Sequence, residues 1–309
     1  YQNQGKVDTK FSADQQKKLC NLAIEKMLLS KDRARTDVST HPFTTSIGND
    51  DVRITTNYSR NDPLFAFGST IHEAGHALYE LGMPKGEYQN TVISDSPSLG
   101  LHESQSRFWE NMVAKSRPFW EYFYPKFVET APEQFSNTDF DSWYKIVNRV
   151  EPSLIRVEAD ELTYCLHVIL RFEIEVGLMD ETISVSELPE IWDQKMDETL
   201  GVVPQNDVEG VLQDMHWSGG SIGYFPTYAL GTIYSSQLFK KLSEVNGNLH
   251  SEIRNADFKN IVSWLNENIH KHGRMYMADE IIKKTCGEGL NSRVFVDYLK
   301  DKYYPLYEV

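Results

Sequence analysis

Thr70-Ile71-His72-Glu73-Ala74-Gly75-His76-Ala77-Leu78-Tyr79-Glu80 is the stretch around which the chain is read. It carries H-E-x-x-H inside a run with helical periodicity. Residues four apart on an α-helix lie about 40° apart around the axis and about 6 Å apart along it. His72 and His76 therefore project from one face and can reach one small cation. Zinc binds imidazole nitrogen at about 2.0–2.1 Å, and a catalytic site takes three protein ligands with a fourth place open. Glu73, directly after the first histidine, is the general base of such a motif and not a ligand. H-E-x-x-H also arises by chance in helices whose histidines merely pack or face solvent, so the surroundings decide. Asp62 is placed to cap the helix, Pro63 suits its first turn, and Gly82 suits its end. Leu64, Phe67, Ile71, Gly75 and Leu78 form a stripe at helical spacing. The histidines sit beside that stripe, at the edge of the core, where a cleft can lie.

The 309 residues suffice for one large domain or two ordinary ones; a single α-helical domain over 1–309 is expected. Hydrophobic residues at 40% and aromatics at 12% can supply a sizeable core. A net charge of −14 argues against nucleic acid, which needs a basic surface. Cys20, Cys165 and Cys286 are odd in number and far apart, so they form neither a disulfide framework nor a metal knuckle. A reducing, cytoplasmic setting fits them. No apolar run approaches the ~20 residues of a membrane span, and no leader peptide is visible at Tyr1.

Outward from the motif, residues 12–30 read as an amphipathic helix. Val52, Ile54, Thr56 and Tyr58 alternate with polar residues, which predicts a short strand. Its edge is suited to pairing with an extended peptide, although a purely structural hairpin explains the pattern as well. After Gly82 a loop is expected to about Pro97, then a long helix from Ser98 or Leu101 past Trp120. Further helices are expected at about 153–176 (ending at Gly177), 187–200 (stopping at Gly201), 226–246, 256–271, 277–286 and 291–303. Residues 202–224 read as irregular. One weak strand pair against eight or more helices predicts a mainly α fold, with a small hairpin or sheet beside the motif helix.

The third ligand has several sources. The metzincin pattern, with a Gly and then a third His at set positions beyond His76, fails, because those positions hold Tyr79 and Gly82. Glu80 and Glu87 are near, but one helix cannot easily wrap three consecutive turns around one ion. A glutamate from a following helix gives a His₂Glu set, with Glu103 and Glu110 as candidates. Glu103 is preferred, since it begins its helix beside a loop long enough to bring it back across the first.

These residues resemble the carboxypeptidase Taq family of zinc-dependent, gluzincin-like metallocarboxypeptidases. Besides His72–His76, the family's D-x-R-x-T motif stands at Asp51–Thr55 and H-E-S-Q at His102–Gln105. I-R-x-x-A-D stands at Ile155–Asp160, and G-x-x-Q-D-x-H-W at Gly210–Trp217. The resemblance implies His72, His76 and Glu103 as ligands of one zinc ion (cobalt is the other candidate) and Glu73 as catalytic acid/base. It implies removal of single residues from peptides with a free C-terminus, and a homodimer. It further implies a helical segment ahead of this chain's first residue, which the chain is expected to lack; that bears on how the cleft is walled and not on the ligands.

The developing oxyanion needs a second electrophile. His216, Tyr224 and Tyr228 are candidates in a polar, glycine-rich segment, against ordinary packing of the tyrosines. Arg156 is the first choice for the substrate carboxylate and Arg53 the second, because arginine's fork suits a carboxylate. The competing reading pairs Arg156 with Glu158, Asp160 or another buried acid. Asp160 or Asp214 can orient a ligating histidine. His41 and His102 read as structural residues near the cleft, His167 as a core histidine, and His250, His270 and His272 as surface residues. The rival readings are an endopeptidase on a related scaffold and a non-catalytic helical module with a structural zinc. Glu73 argues against the second, because a closed structural site has no use for a base.

Overall fold

A computed structural model describes residues 10–58 and 62–308. A first helix, α1 (Ala13–Lys26), leads into three short strands: β1 (Ala34–Val38), β2 (Thr44–Gly48) and β3 (Asp51–Thr56). The motif helix is α2 (Pro63–Gly82). Then α3 (Leu99–Arg107) runs into a π-helical segment, Phe108–Val113, followed by α4 (Arg117–Thr130) and α5 (Phe140–Val147). Next come α6 (Tyr164–Met179), α7 (Leu188–Leu200) and α8 (Pro226–Val245). The chain ends with α9 (Leu249–Arg254), α10 (Lys259–Asn268), α11 (Ala278–Cys286) and α12 (Ser292–Tyr307). The fold is mainly α, as the sequence predicts. The residues group into two compact units: one runs to Val147 and resumes at Gly231, and the other is Asn148–Leu230.

In the larger unit α2 is the central element. Asp62 accepts hydrogen bonds from the Leu64 and Phe65 amides, and Pro63 fills the first helical position. Phe67 lies among Phe119, Trp120, Phe123 and Phe127, at centroid distances of 5.0–6.1 Å. Such tilted and edge-on ring packing anchors one end of α2. The other end comes close to α3. A Cβ on Gly75 would stand 2.7 Å from the Gln105 carbonyl oxygen and 2.8 Å from Ser106 Cα. Only glycine allows that approach. Gly82 is glycine for a similar reason, and not for a left-handed turn: a Cβ there would meet Asn266 and His270 at 2.6–2.8 Å.

The sheet has three strands in the order β1-β3-β2, with β1 parallel and β2 antiparallel to β3. Val52 and Ile54 of β3 are fully buried, and Thr56 Oγ1 donates to the Ala66 carbonyl of α2. This ties the sheet to the motif helix. Tyr58 lies beyond the strand. β1 is a strand that the sequence does not announce, because Arg35, Thr36 and Asp37 offer no apolar alternation.

Two predicted helices differ in the structure. The expected helix from residue 98 past Trp120 is interrupted. The Ala114 amide reaches back five residues to the Trp109 carbonyl, and Ser116 then caps a fresh helix at the Phe119 amide. The expected helix over 153–176 starts eleven residues late, at Tyr164. Asp160 takes the amides of Leu162 and Thr163 with its side chain, which holds 153–163 out of helix apart from one turn at Arg156–Glu158. Gly177 lies inside α6, under Ile183, and does not end it. α5 and α9 are helices that the sequence reading leaves out.

In the smaller unit α6 and α7 pack through Leu170, Ile174, Trp192, Met196 and Leu200. Gly201 stops α7 in the left-handed region at φ 69°. Residues 202–225 form no regular element.

Gly75→Ala should lower stability by about 1–3 kcal/mol, the usual cost of overpacking, because the obstructing atoms belong to backbone. The midpoint of chemical denaturation checks this. An unchanged midpoint would mean that α2 and α3 separate freely.

A candidate metal centre

His72 and His76 leave α2 on one face, and Glu103 comes from α3 opposite. One donor atom from each lies within 4.8 Å of the others. Glu103 Oε2 is 3.4 Å from His76 Nε2 and 3.8 Å from His72 Nε2. Around a tetrahedral ion with bonds of about 2.0–2.1 Å, neighbouring donor atoms stand about 3.3–3.4 Å apart. The three donors fit one ion of zinc's size after small adjustments. Gly231 of α8 helps to seat the carboxylate, since a Cβ there would lie 2.6 Å from Glu103 Cγ.

Two of the three residues, His72 and Glu103, have the atoms that face away from this point engaged as a ligand set needs. His72 Nδ1 donates to Glu110 Oε2 at 2.8 Å, which fixes the tautomer that leaves Nε2 free to bind metal. Glu110 thus stands behind His72 and outside the group of three converging donor atoms. Glu103 Oε1 accepts from Arg107 Nε at 2.7 Å, and Arg107 Nη1 also reaches Glu110 at 3.1 Å. Glu80, the nearer acid, turns away to His102. Of the acids expected to orient a ligating histidine, Asp160 accepts from the Leu162 and Thr163 amides and Asp214 pairs with Arg156 and Arg171.

The electrostatics are those of a charged site under cover. Burial opposes ionisation of Glu103, but Arg107 and the two histidines outweigh it and hold the carboxyl well below its ordinary range. Glu110 is brought down to about 2, again against burial, by Arg107 and His72. Burial works against the charged form of His72 too, yet Glu103 and Glu110 push it up to about 9. Burial dominates at His76 and takes it down to about 3.

Glu73 is 6% exposed. Burial raises its carboxyl above the ordinary value, with His72 and Thr44 opposing. Thr44, on β2, donates to Glu73 Oε2 at 2.5 Å. It is the only side chain among the described residues that hydrogen-bonds this carboxylate. Nothing local in the sequence marks Thr44, because the contact joins residues 29 apart through the fold. Glu110 carried a weak signal: it lies seven residues, two helical turns, beyond Glu103.

The smaller unit gathers four other predicted residues. Arg156 is buried and donates to Asp214 through Nη2 (2.7 Å) and Nε (3.1 Å), and to Tyr164 Oη through Nη1 (3.0 Å). Its acid is therefore Asp214, and not Glu158 or Asp160. Arg171 shares that carboxylate at 2.7 Å, a second buried arginine that the sequence reading passed over. The Tyr228 ring lies under the Arg156 guanidinium at 4.8 Å. The Tyr228 hydroxyl is 3.2 Å from His216 Nε2, and Tyr224 stands beside His216. Burial and Arg156 push His216 below its ordinary value. Arg53 stays on β3 in the larger unit, matched by Asp51 through two hydrogen bonds of 2.6 and 2.7 Å. His167 is fully buried, as expected; His41, expected as a structural residue near the cleft, is exposed, and His270, expected at the surface, is 2% exposed and bonded to Gln105.

Comparison with known proteins gives the family. Residues 1–303 match the model of the carboxypeptidase Taq (M32) metallopeptidase family. The chain is 43% identical over 297 residues to carboxypeptidase 1 of Bacillus subtilis (strain 168), covering 96% of this chain and 59% of that protein. It is 45% identical over 271 residues to thermostable carboxypeptidase 1 of Pyrococcus furiosus, covering 88% and 54%. The crystal structure of the M32 carboxypeptidase from Deinococcus radiodurans R1 superposes with a TM-score of 0.95 at 39% identity, over 98% of this chain and 61% of that one. Metallocarboxypeptidase 1 of Trypanosoma cruzi superposes at 0.92 with 37% identity, over 97% and 62%. The chain thus spans between a half and two thirds of the length of the relatives it matches. On its sequence and on its fold, it belongs to the carboxypeptidase Taq (M32) metallopeptidase family.

Proposed function

We propose that the chain carries the catalytic centre of a zinc-dependent metallocarboxypeptidase. It removes single residues, with broad preference, from peptides that have a free C-terminus. The observation that carries this reading is the convergence of two Nε2 atoms and one carboxylate oxygen within 4.8 Å, beside a buried glutamate that feels two of the three. The family and the similarity to proteins named carboxypeptidases support it. Zinc is favoured by the His₂Glu donor set, which also accepts cobalt. Three free cysteines support a reducing, cytoplasmic setting, and the family resemblance supports a homodimer. No helix among the described residues is long and apolar enough to cross a membrane.

His72, His76 and Glu103 hold the ion, Glu110 sets the His72 ring, and Arg107 balances the two carboxylates. Bound zinc supplies Lewis acidity toward the scissile carbonyl and acidifies water to a pKa of about 7. Glu73 takes a proton from the attacking water onto its carboxylate and returns it to the leaving amine nitrogen. Its raised pKa brings it nearer to the working pH of such a shuttle. Thr44 restricts the carboxylate to one orientation. For the substrate carboxylate we retain Arg156 ahead of Arg53. Two guanidiniums, Arg156 and Arg171, share the single carboxylate of Asp214, whereas Arg53 already has Asp51 to itself. His216, Tyr224 and Tyr228 are the proposed partners of the developing oxyanion; their grouping with Arg156 supports this.

Three outcomes test the reading. Mass spectrometry of an unblocked peptide should show stepwise loss from the C-terminal end, abolished by chelator and restored by zinc. Internal cleavage of a peptide blocked at its C-terminus would favour the endopeptidase instead, and zinc binding without hydrolysis would favour the structural module. Glu73→Gln should keep zinc and lose at least about 100-fold in kcat, the usual range for general acid–base catalysis; full activity would exclude Glu73 as the base. Glu110→Gln should raise the zinc Kd by about 10–100-fold, as outer partners of ligating histidines do. Competition against a chromophoric chelator measures it.

A further inference from the structure

The two ligating histidines are supported differently. His72 has its carboxylate at Nδ1. His76 Nδ1 is buried and has no hydrogen-bond partner among the described residues. What His76 has is a ring: the imidazole of His102 stacks on it, with centroids 4.5 Å apart and planes inclined by 29°. By contrast, His72 meets His76 edge-on, at 83°.

The His102 ring is itself held on two sides. Its Nε2 lies 2.8 Å from Glu80 Oε1. An ionised carboxylate only accepts, so the nitrogen donates. Tyr79 packs against the ring at 5.4 Å, and Tyr79 receives the Ser96 hydroxyl. Glu80 lies one helical turn beyond His76 on α2, and His102 directly precedes Glu103 on α3. The anchors of the stack are thus built into the two helices that carry the ligands.

We infer that His102, pinned by Glu80, is a positioning residue that fixes the plane of the His76 ring by stacking and so raises the affinity of the site for its divalent cation. The inference rests on the metal-centre reading above. The chemistry favours it when the ion is bound. An imidazole that gives its N–H to a carboxylate is enriched in electron density over its face. An imidazole that holds a dication is depleted. Two such faces attract, as a cation and an aromatic face do. The ring also closes one side of His76, so its Nε2 lone pair keeps its aim without a hydrogen bond at Nδ1.

The test uses the full chain and reads the zinc Kd by competition with a chromophoric chelator, with thermal melting of the metal-free protein alongside. His102→Ala should raise the Kd by about 10–100-fold, the range for residues that orient metal ligands. His102→Phe keeps a ring face without a polar edge and should recover most of that loss. His102→Gln keeps a hydrogen bond to Glu80 without a face and should not. The cobalt form should show the same order in its visible absorption: displaced in the Ala and Gln variants and restored in the Phe variant. Wild-type affinity in His102→Ala, or recovery by Gln equal to recovery by Phe, would overturn the stacking role. If His102→Ala does not fold, the Phe and Gln variants decide alone. A wild-type chain that binds no zinc would instead remove the metal reading itself, so the two failures are distinct.

Discussion

Three carboxylates are brought under cover at one place, and the surrounding structure depends on how their charge is met. Glu73, Glu103 and Glu110 are buried or largely so, and among the described residues Arg107 is the one guanidinium hydrogen-bonded to any of them, reaching Glu103 and Glu110. Buried charges are costly unless paired. Three carboxylates outnumber the one guanidinium, and the excess is of the sign that a bound cation offsets. The same field appears at His72, which is pushed up to about 9 although burial works against its charged form. The region thus concentrates negative charge where the three donor atoms converge. Arg107 offsets enough of the excess for Glu103 and Glu110 to stay ionised.

Backbone proximity makes this concentration possible. Gly75 lets α3 lie against α2, and Gly231 lets α8 pass over the Glu103 side chain. With a side chain at either position the carboxylate would be displaced from the two imidazoles. The aromatic cluster around Phe67 anchors the other end of α2. The helix is therefore gripped by packing at its N-terminal end and by close backbone approach near the site. The π-helical turn at Phe108–Val113 contains Glu110, so the residue that orients His72 sits where the regular ladder of α3 is relaxed. Such turns recur at functional sites.

Residues whose roles follow from local spacing were legible in the sequence. His72 and His76 share a face because they are one helical turn apart. Glu103 stands out because a loop of the right length leads into its helix. The cap at Asp62 and the stop at Gly201 are local too. Contacts across the fold were less visible. Thr44 meets Glu73 only because β2 lies at the sheet edge beside α2. His102 read as a structural histidine, and nothing linear says that its ring lies on His76. His270 sits among charged residues in the sequence yet is buried, because Gln105 offers it a partner. β1 escaped because pairing with β3 on one side leaves its side chains half exposed, with no alternation to read. The helix expected from residue 153 failed because apolar periodicity continues through a segment whose backbone hydrogen bonds are taken by Asp160.

The smaller unit shows what the motifs outside the metal centre accomplish. Residues 202–225 have no regular structure, so their order must come from side chains. Gln213 accepts the amide of Arg156 and the guanidinium of Arg171, and donates to the carbonyls of Leu154 and Glu209. Asp214 takes both arginines, and Glu175 takes the Trp217 indole N–H. The I-R-x-x-A-D and G-x-x-Q-D-x-H-W segments are therefore two halves of one buried polar clamp, closed by Arg171, which belongs to neither. Burial alone would raise the Asp214 carboxyl, yet Arg156 and Arg171 hold it below its ordinary value. A network of this kind is rigid when every member is satisfied and unstable when one is missing. It explains why an irregular segment can present His216 and Tyr228 at a fixed separation. It also explains why Arg156, though buried, keeps its guanidinium face against the Tyr228 ring: Asp214 holds the fork from one edge and leaves the plane to the aromatic side chains.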